Sequence, residues 1–493
     1  MPLIKEENRM VFSSPIFIFC FLPATLLLYG LFFRFCKGNV QPANLVLLLA
    51  SVFFYGWGGT RFLFLLLCIV VVNYALTLFM DRCRGGRKKL LLWLILLIDI
   101  GNLLYFKYFN FLAGNLETVF GFFGVPLDLD LPKVVLPIGI SFYTFQIISY
   151  VADVYMGNVE VQKNPLKLAL YVMMFPQLIA GPIVRYKDVN REIDERAIHV
   201  SDVEEGIRRF ILGFSKKVFL ANLTGGVADT MFGYGGKLNT AYSWLGILCY
   251  TLQIFFDFSA YSDMAIGIGR MTGFHFNENF DQPYVSESIQ EFWRRWHISL
   301  SSWFKDYVYI PLGGNRKGKA KTYRNLGIVF LLTGLWHGAA WQFIIWGLYH
   351  GFFCILERVC LKKVLEKIPR FFRRVYTMLV VMIGWVFFRA DNLSAACTYL
   401  GNLFSFDFTD FRYKLMISQM TPLFWVCLAA ALLLSFTKRK QVSVETGSGR
   451  SRKRAGFLTL SRNAGNLLYL LLWLAAVLYL TGVSYNPFIY FQF

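Results

Sequence analysis

Long apolar runs separated by short polar or basic stretches set the pattern of this chain. Val11–Phe35, Leu45–Trp57, Phe62–Met80, Leu90–Phe109, residues 241–256, Val375–Phe388, Leu423–Phe436 and Leu467–Leu480 carry little or no charge. A backbone crossing lipid must satisfy its own N–H and C=O groups, which a helix of about 20 mostly apolar residues does. The pattern predicts an all-α, polytopic integral membrane protein with roughly ten to thirteen hydrophobic segments, forming one embedded domain over residues 1–493. A membrane β-barrel needs alternating polar and apolar positions, which these runs lack.

Several segments depart from a lipid-facing pattern. Pro23 interrupts the first run, and the Phe- and Gly-rich region from Phe109 to Lys133 is expected to dip rather than cross. Residues 136–155 carry Pro137, Gly139, Ser141, Tyr143, Thr144 and Gln146, as expected of a helix facing protein or a water-filled cavity. In FPQLIAGPIVRY, Pro176, Gly181 and Pro182 predict a broken or re-entrant segment beside Gln177 and Arg185. Residues 187–209 read as a surface loop and an amphipathic helix, with His199 solvated; His275 reads as interfacial. Asp257 and Asp263 stand at membrane depth, where a carboxylate is costly. Acid–base chemistry would explain them, but pairing with Arg270 or Arg294 is the favoured reading. Residues 291–306 set Trp293, Trp296 and Trp303 beside Arg294, Arg295 and Lys305, which predicts one amphipathic helix of the interface type.

Composition agrees: 56% of residues are hydrophobic and 18% aromatic, with mean hydropathy +0.49. The stretches 81–89, 315–324, 361–374 and 437–454 hold 23 basic residues against Asp81, Glu366 and Glu445, the whole formal charge of +20. Basic loops between apolar spans follow the positive-inside rule, a better account than nucleic-acid binding, so these four are predicted cytoplasmic and 437–454 flexible. Arg34 and Lys37 then also lie inside and the N-terminus outside; the same count puts the terminal SYNPFIYFQF outside. Nine scattered cysteines form no CxxC pair, which points to small buried hydrophobes rather than a zinc site or disulfide framework. The first run outlasts a signal h-region and lacks a small-residue cleavage site, so no cleavable signal is expected; Met10 would itself serve as a start.

Histidine is scarce, and three of the five residues fall between Glu291 and His350. Imidazole transfers protons near neutral pH more readily than any other side chain. His337 sits in TGLWHG, where small neighbours leave room for a ligand, and an ionisable group within a membrane is functional by default. For His297 the composition leaves function and packing balanced, and His350 lies in a following span. HExxH is absent, so no metal is expected; GxSxG is absent too, which weakens a hydrolase reading. A membrane transporter component is the alternative of a different class, but the internal repeats common in transporters are not evident.

WRRWHISLSSWFKDYVYIPLGGN followed by LTGLWHGAAWQFIIWGLYHG resembles the membrane-bound O-acyltransferase family. The resemblance is to its bacterial branch of alginate O-acetylases and teichoic-acid D-alanyl transfer proteins. VFSSPIFIFCFLP, FPQLIAGPIVRY, DFSAYSDMAIGIGR, FFRA and PFIYFQF extend the likeness to the acetylase type over nearly the whole chain. The resemblance implies a helical fold with funnels from both membrane faces meeting near His337, and a second family histidine at His297. It implies an O-acyltransferase in the bacterial cytoplasmic membrane, with no bound cofactor and with cytoplasmic acetyl-CoA as donor substrate. It also implies an extracytoplasmic SGNH-type acetyltransferase partner that modifies an exopolysaccharide or cell-wall glycan. D-alanyl transfer from a carrier protein towards teichoic acid is the alternative. His337 is then expected to act as general base and His297 to orient donor, acceptor or His337. Arg294, Arg295, Trp296, Trp336, Asp257, Asn315 and Gln177 are the candidates for contacts with donor or acceptor, and Arg316, Lys317 and Lys319 for attracting donor phosphates.

Overall fold

The computed structural model describes residues 10–36, 39–125, 129, 131–234, 238–409, 418–437 and 452–482, with side chains beyond 451 described only from Gly465. The leader before Met10, Lys37, residues 438–451 of the basic loop and the terminal SYNPFIYFQF lie outside the described residues. Among the described residues the regular structure is helical, without strands.

α1 (Phe17–Phe35) opens on a wide π turn, Phe17–Phe21, next to Pro23, which has no N–H to give to the preceding turn. α2 (Gln41–Trp57) and α3 (Thr60–Arg82) follow, then α4 (Gly85–Phe122). The expected dip after Phe109 does not occur: α4 runs unbroken for 38 residues. That is about 57 Å at 1.5 Å per residue, more than the ~40–45 Å of a bilayer with its headgroups. Gly114 and Gly121 each cost a helix only about 1 kcal/mol, too little to break it.

α5 (Ile140–Met156) is buried along most of its length, including Thr144, Gln146 and Ser149, so its polar side chains face protein rather than lipid. α6 (Pro165–Met173) stops before the single turn α7 (Phe175–Leu178), and residues 179–184 are buried without helix, the break that Pro176, Gly181 and Pro182 predicted. α8 (Tyr186–Asp194) and α9 (Val200–Ser215) replace the expected loop and single helix, with His199 exposed before α9. α10 (Asn222–Phe232) leads to α11 (Thr240–Met271), in which every residue from Cys249 to Gly269 is buried. The carboxylates of α11 are paired, but not as expected. Lys217 holds Asp257 at 2.6 Å, while Arg209 and Lys216 hold Asp263 at 2.9 and 2.6 Å. Arg270 bonds Glu205 instead, and Arg294 donates to the carbonyl of Gln290. Packing of α9 and the turn after it along α11 decides these partners, which spacing along one helix does not reveal.

α12 (Ile289–Arg295) and α13 (Ile298–Phe304) take the place of the single interface helix expected over 291–306. Trp293, Trp296 and Trp303 are buried against protein aromatics, so they do not serve as headgroup anchors. α14 (Lys319–His337), α15 (Trp341–Leu356), α16 (Lys362–Lys367), α17 (Arg370–Arg389) and α18 (Leu393–Leu403) follow, then Pro422–Phe436 and Arg452–Thr481. Among the described residues, five helices are long and apolar enough to cross a bilayer: α1, α3, α4, the continuous Trp341–Lys367 and α17. With three shorter apolar helices beside them, the chain is a multi-pass membrane protein.

The buried side chains of the described residues form two hydrophobic cores. One gathers α1 to α9 with the C-terminal half of α11; the other gathers α10, the N-terminal half of α11, α12, α15 and α17. The chain from Ile289 to Phe304 crosses from the second core to the first, and α14 crosses likewise between Phe330 and Trp336. His297 and His337 therefore lie on the seam. α14 and α15 meet backbone to backbone there. A Cβ on Gly334 would stand 2.4 Å from the Phe343 carbonyl oxygen, and one on Gly347 2.4 Å from that of Phe330. Gly334→Val or Gly347→Val is expected to lower stability by about 1–3 kcal/mol or more through overpacking. Gly327→Val keeps stability within about 1 kcal/mol, since nothing lies within 4 Å of its missing Cβ. Thermal unfolding in detergent checks the contrast; equal loss at Gly327 and Gly334 would refute the close crossing.

Candidate active site

His337 ends α14. Gly338 follows in extended backbone, and a Cβ there would run into the Phe343 ring. The last carbonyls of any helix lack intrahelical partners, and here α4 supplies them. Tyr108 donates to the Leu335 carbonyl, and the Lys107 ammonium donates to those of Trp336 and His337, the latter at 3.2 Å. The His337 ring meets Trp346 at 4.9 Å, Phe388 at 5.1 Å and the ring of His297 at 6.5 Å between centroids. His337 keeps 5% exposure where His297 keeps none, so it is the more accessible of the two.

His297 stands at the break between α12 and α13 in left-handed backbone, φ 45°, ψ 55°. A residue with a Cβ is strained there by roughly 1–3 kcal/mol and needs its surroundings to hold it. Asn279 does so. Its carbonyl accepts from Ile298 N–H at 2.9 Å, and its side-chain Oδ1 receives Ser299 Oγ–H at 2.8 Å and Ser299 N–H at 3.2 Å. The same Oδ1 lies 3.1 Å from His297 Nδ1, and Asn279 Nδ2 donates to Ser262 Oγ. An amide oxygen carries no proton, so Nδ1 must be the donor and the lone pair of His297 is on Nε2. That Nε2 is buried with no hydrogen-bond partner among the described residues. Ser299 Oγ also accepts Ile183 N–H at 3.0 Å, tying the broken segment after α7 to the site.

Of the remaining candidates, Trp336 belongs to the site: its ring lies 4.9 Å from His337 and 5.9 Å from His297. Trp296 turns into the second core against Phe280 and Trp385. Arg294 and Asn315 are exposed, whereas Arg295 is committed to Asp281 and Glu291. Gln177 is buried and donates to the Tyr171 carbonyl, and Asp257 is held by Lys217. His275 is exposed and bonds Glu192. Sequence reasoning passed over Asn279, Ser299 and Lys107. A lone lysine inside an apolar run was the one available signal for Lys107, and nothing in the pattern marked Asn279. His350, noted only as part of a span, is fully buried, with Trp293 and Trp346 each 5.2 Å from its ring. Among the described residues no group of three or more His, Cys, Asp or Glu is placed to hold a metal ion.

His337 stands far from the basic residues that open α14. Lys319 begins the 19-residue α14 and His337 ends it, about 27 Å away at 1.5 Å per residue. Phe388 lies near the end of α17 remote from Arg370, and Trp346 near the end of Trp341–Lys367 remote from Lys362. Two imidazoles, one with its lone pair fixed on Nε2, within a shell of aromatic rings can take a proton from a weak nucleophile such as a hydroxyl.

Comparison with known proteins gives a consistent result. The profile described as MBOAT, membrane-bound O-acyltransferase family, matches residues 161–400. The probable alginate O-acetylase AlgI of Pseudomonas putida is 43% identical, over 98% of this chain and 100% of that protein. The peptidoglycan O-acetyltransferase of Helicobacter pylori is 37% identical over 79% of each chain. The teichoic acid D-alanyltransferase of Bacillus subtilis is 32% identical over 43% of this chain and 57% of its own. With buried paired histidines in a multi-pass helical fold and full-length similarity of this order, the chain belongs to the membrane-bound O-acyltransferase family.

Proposed function

We propose that this protein moves acetyl from cytoplasmic acetyl-CoA across the bacterial cytoplasmic membrane for O-acetylation of an exopolysaccharide or cell-wall glycan. The facing of His337 and His297 on the seam of the fold carries the reading. The full-length likeness to alginate O-acetylases supports acetyl over D-alanyl, since the D-alanyltransferase likeness spans less than half of the chain. His337 is the general base. It takes the proton of the acceptor hydroxyl as that oxygen bonds to the thioester carbonyl carbon; the C–S bond then breaks and the proton passes to the departing thiolate. His297, its tautomer set by Asn279, offers Nε2 to orient the acceptor or the His337 ring. Arg316, Lys317 and Lys319, exposed at the far end of α14, attract the donor phosphates; Arg294 adds charge, while Arg295 is already paired. The length of α14 between those residues and His337 fits delivery towards the opposite face, where an SGNH-type acetyltransferase would receive the acetyl group.

His337→Ala is expected to cut glycan O-acetylation about 10²–10⁴-fold, the usual worth of a general base. Acetyl ester per sugar in cells, normalised to membrane-resident protein, is the measurement; full acetylation by that variant would remove His337 from the role. Asn279→Ala should cost less per folded protein, up to roughly tenfold, the worth of the one neutral hydrogen bond to His297 among the several that its side chain makes. Unchanged acetylation by folded Asn279→Ala would show that the His297 tautomer does not matter. Raising ionic strength should raise KM for acetyl-CoA while leaving kcat in place, because surface charge attraction is screened; a salt-independent KM would exclude the basic end of α14 from donor capture.

A further inference from the structure

Lys107 is the side chain that the function leaves unexplained. It lies well inside α4, about 33 Å along the helix from Gly85 at 1.5 Å per residue. A lysine at membrane depth is costly unless its ammonium finds partners. Here it finds oxygen atoms of one turn and its neighbour: the carbonyls of Trp336 and His337, and Ser141 Oγ at 3.1 Å. The ammonium also stands 5.9 Å from the centre of the Trp336 ring. A cation at a helix C-terminus meets the negative end of the macrodipole, and that helix end carries His337. Neighbouring residues reinforce the hold, Tyr108 on the Leu335 carbonyl and Asn115 Oδ1 on Trp341 Nε1 at 2.9 Å. α4 thus grips the chain on both sides of the histidine.

We infer that Lys107 is a positioning residue for acyl transfer: its ammonium caps α14 and fixes the His337 ring in its placement against His297. The inference rests on His337 being the base. Without the cap, two carbonyls at the helix end lose their donor, and the last turn must rewind or draw in water to satisfy them. Either change moves the imidazole, while donor capture at the distant basic loop is left alone. Loss of the cap should therefore lower kcat and spare KM for the donor.

Lys107→Met, close in length and uncharged, is the main variant, with Lys107→Arg as the conservative rescue and Lys107→Gln beside it. In proteoliposomes supplied with acetyl-CoA, and with thiol release as readout, Lys107→Met should lose at least tenfold in kcat per folded protein, with KM within twofold. Lys107→Arg should recover to within about threefold of the parent. A cryo-electron microscopy structure of Lys107→Met should show the His337 ring displaced from its 6.5 Å separation from His297. An undisplaced ring, or parental kcat, overturns the inference, as does a KM rise that accounts for the whole loss. Where the methionine variant is not recovered folded, the same measurements on Lys107→Gln decide. His337→Ala, run in parallel, separates the two ideas: full turnover there removes the base assignment, whereas the ring position in Lys107→Met judges the cap whatever the donor.

Discussion

In a bilayer, a backbone group released from a helix has no water to turn to, and the centre of this protein is built from helices that stop or break. At several of these points a group from elsewhere in the chain meets the release. Ser51 Oγ takes Phe175 N–H where α6 ends, and Ser299 Oγ takes Ile183 N–H in the broken segment. The Asn279 carbonyl takes Ile298 N–H at the α12–α13 break, and Lys107 and Tyr108 close the carbonyls at the end of α14. The polar residues that satisfy this debt are also those that surround the histidines. Stability and chemistry therefore share atoms: an unsatisfied backbone group in hydrocarbon costs several kcal/mol.

Two cores, rather than one, explain why such breaks collect in one place. α11 runs through both, and the segment around His297 and the end of α14 cross between them. A single core would bury the histidines as ordinary packing. At a seam, an aromatic shell of Trp336, Trp346 and Phe388 leaves the two imidazoles facing each other. His350 shows the contrast. It sits in the same sequence window and is fully buried, yet it lies within one core among Trp293, Trp346 and Trp385.

What could be read along the chain was what depends on local pattern. The apolar runs announced the membrane class, Pro176 with Gly181 and Pro182 announced a break, and the scarcity of histidine drew attention to His297 and His337. What could not be read depends on contacts across long separations. Lys107 meets the Trp336 carbonyl 229 residues away, and Asp257 finds Lys217 on a neighbouring helix rather than an arginine near its own. The tryptophans of residues 291–306 looked like interface anchors because composition does not say whether an apolar face meets lipid or protein. Asn279 escaped notice for a similar reason: an asparagine in a loop becomes meaningful only when a histidine 18 positions on turns back to it.

The glycine crossing of α14 and α15 has a mechanical consequence. Gly334 and Gly347 bring the two backbones so close that neither position has room for a side chain. His337 ends the helix whose position this crossing sets. A bulkier residue at either glycine would part the two helices and shift the turn that carries the imidazole, so the place of His337 depends on two residues that have no side chain at all.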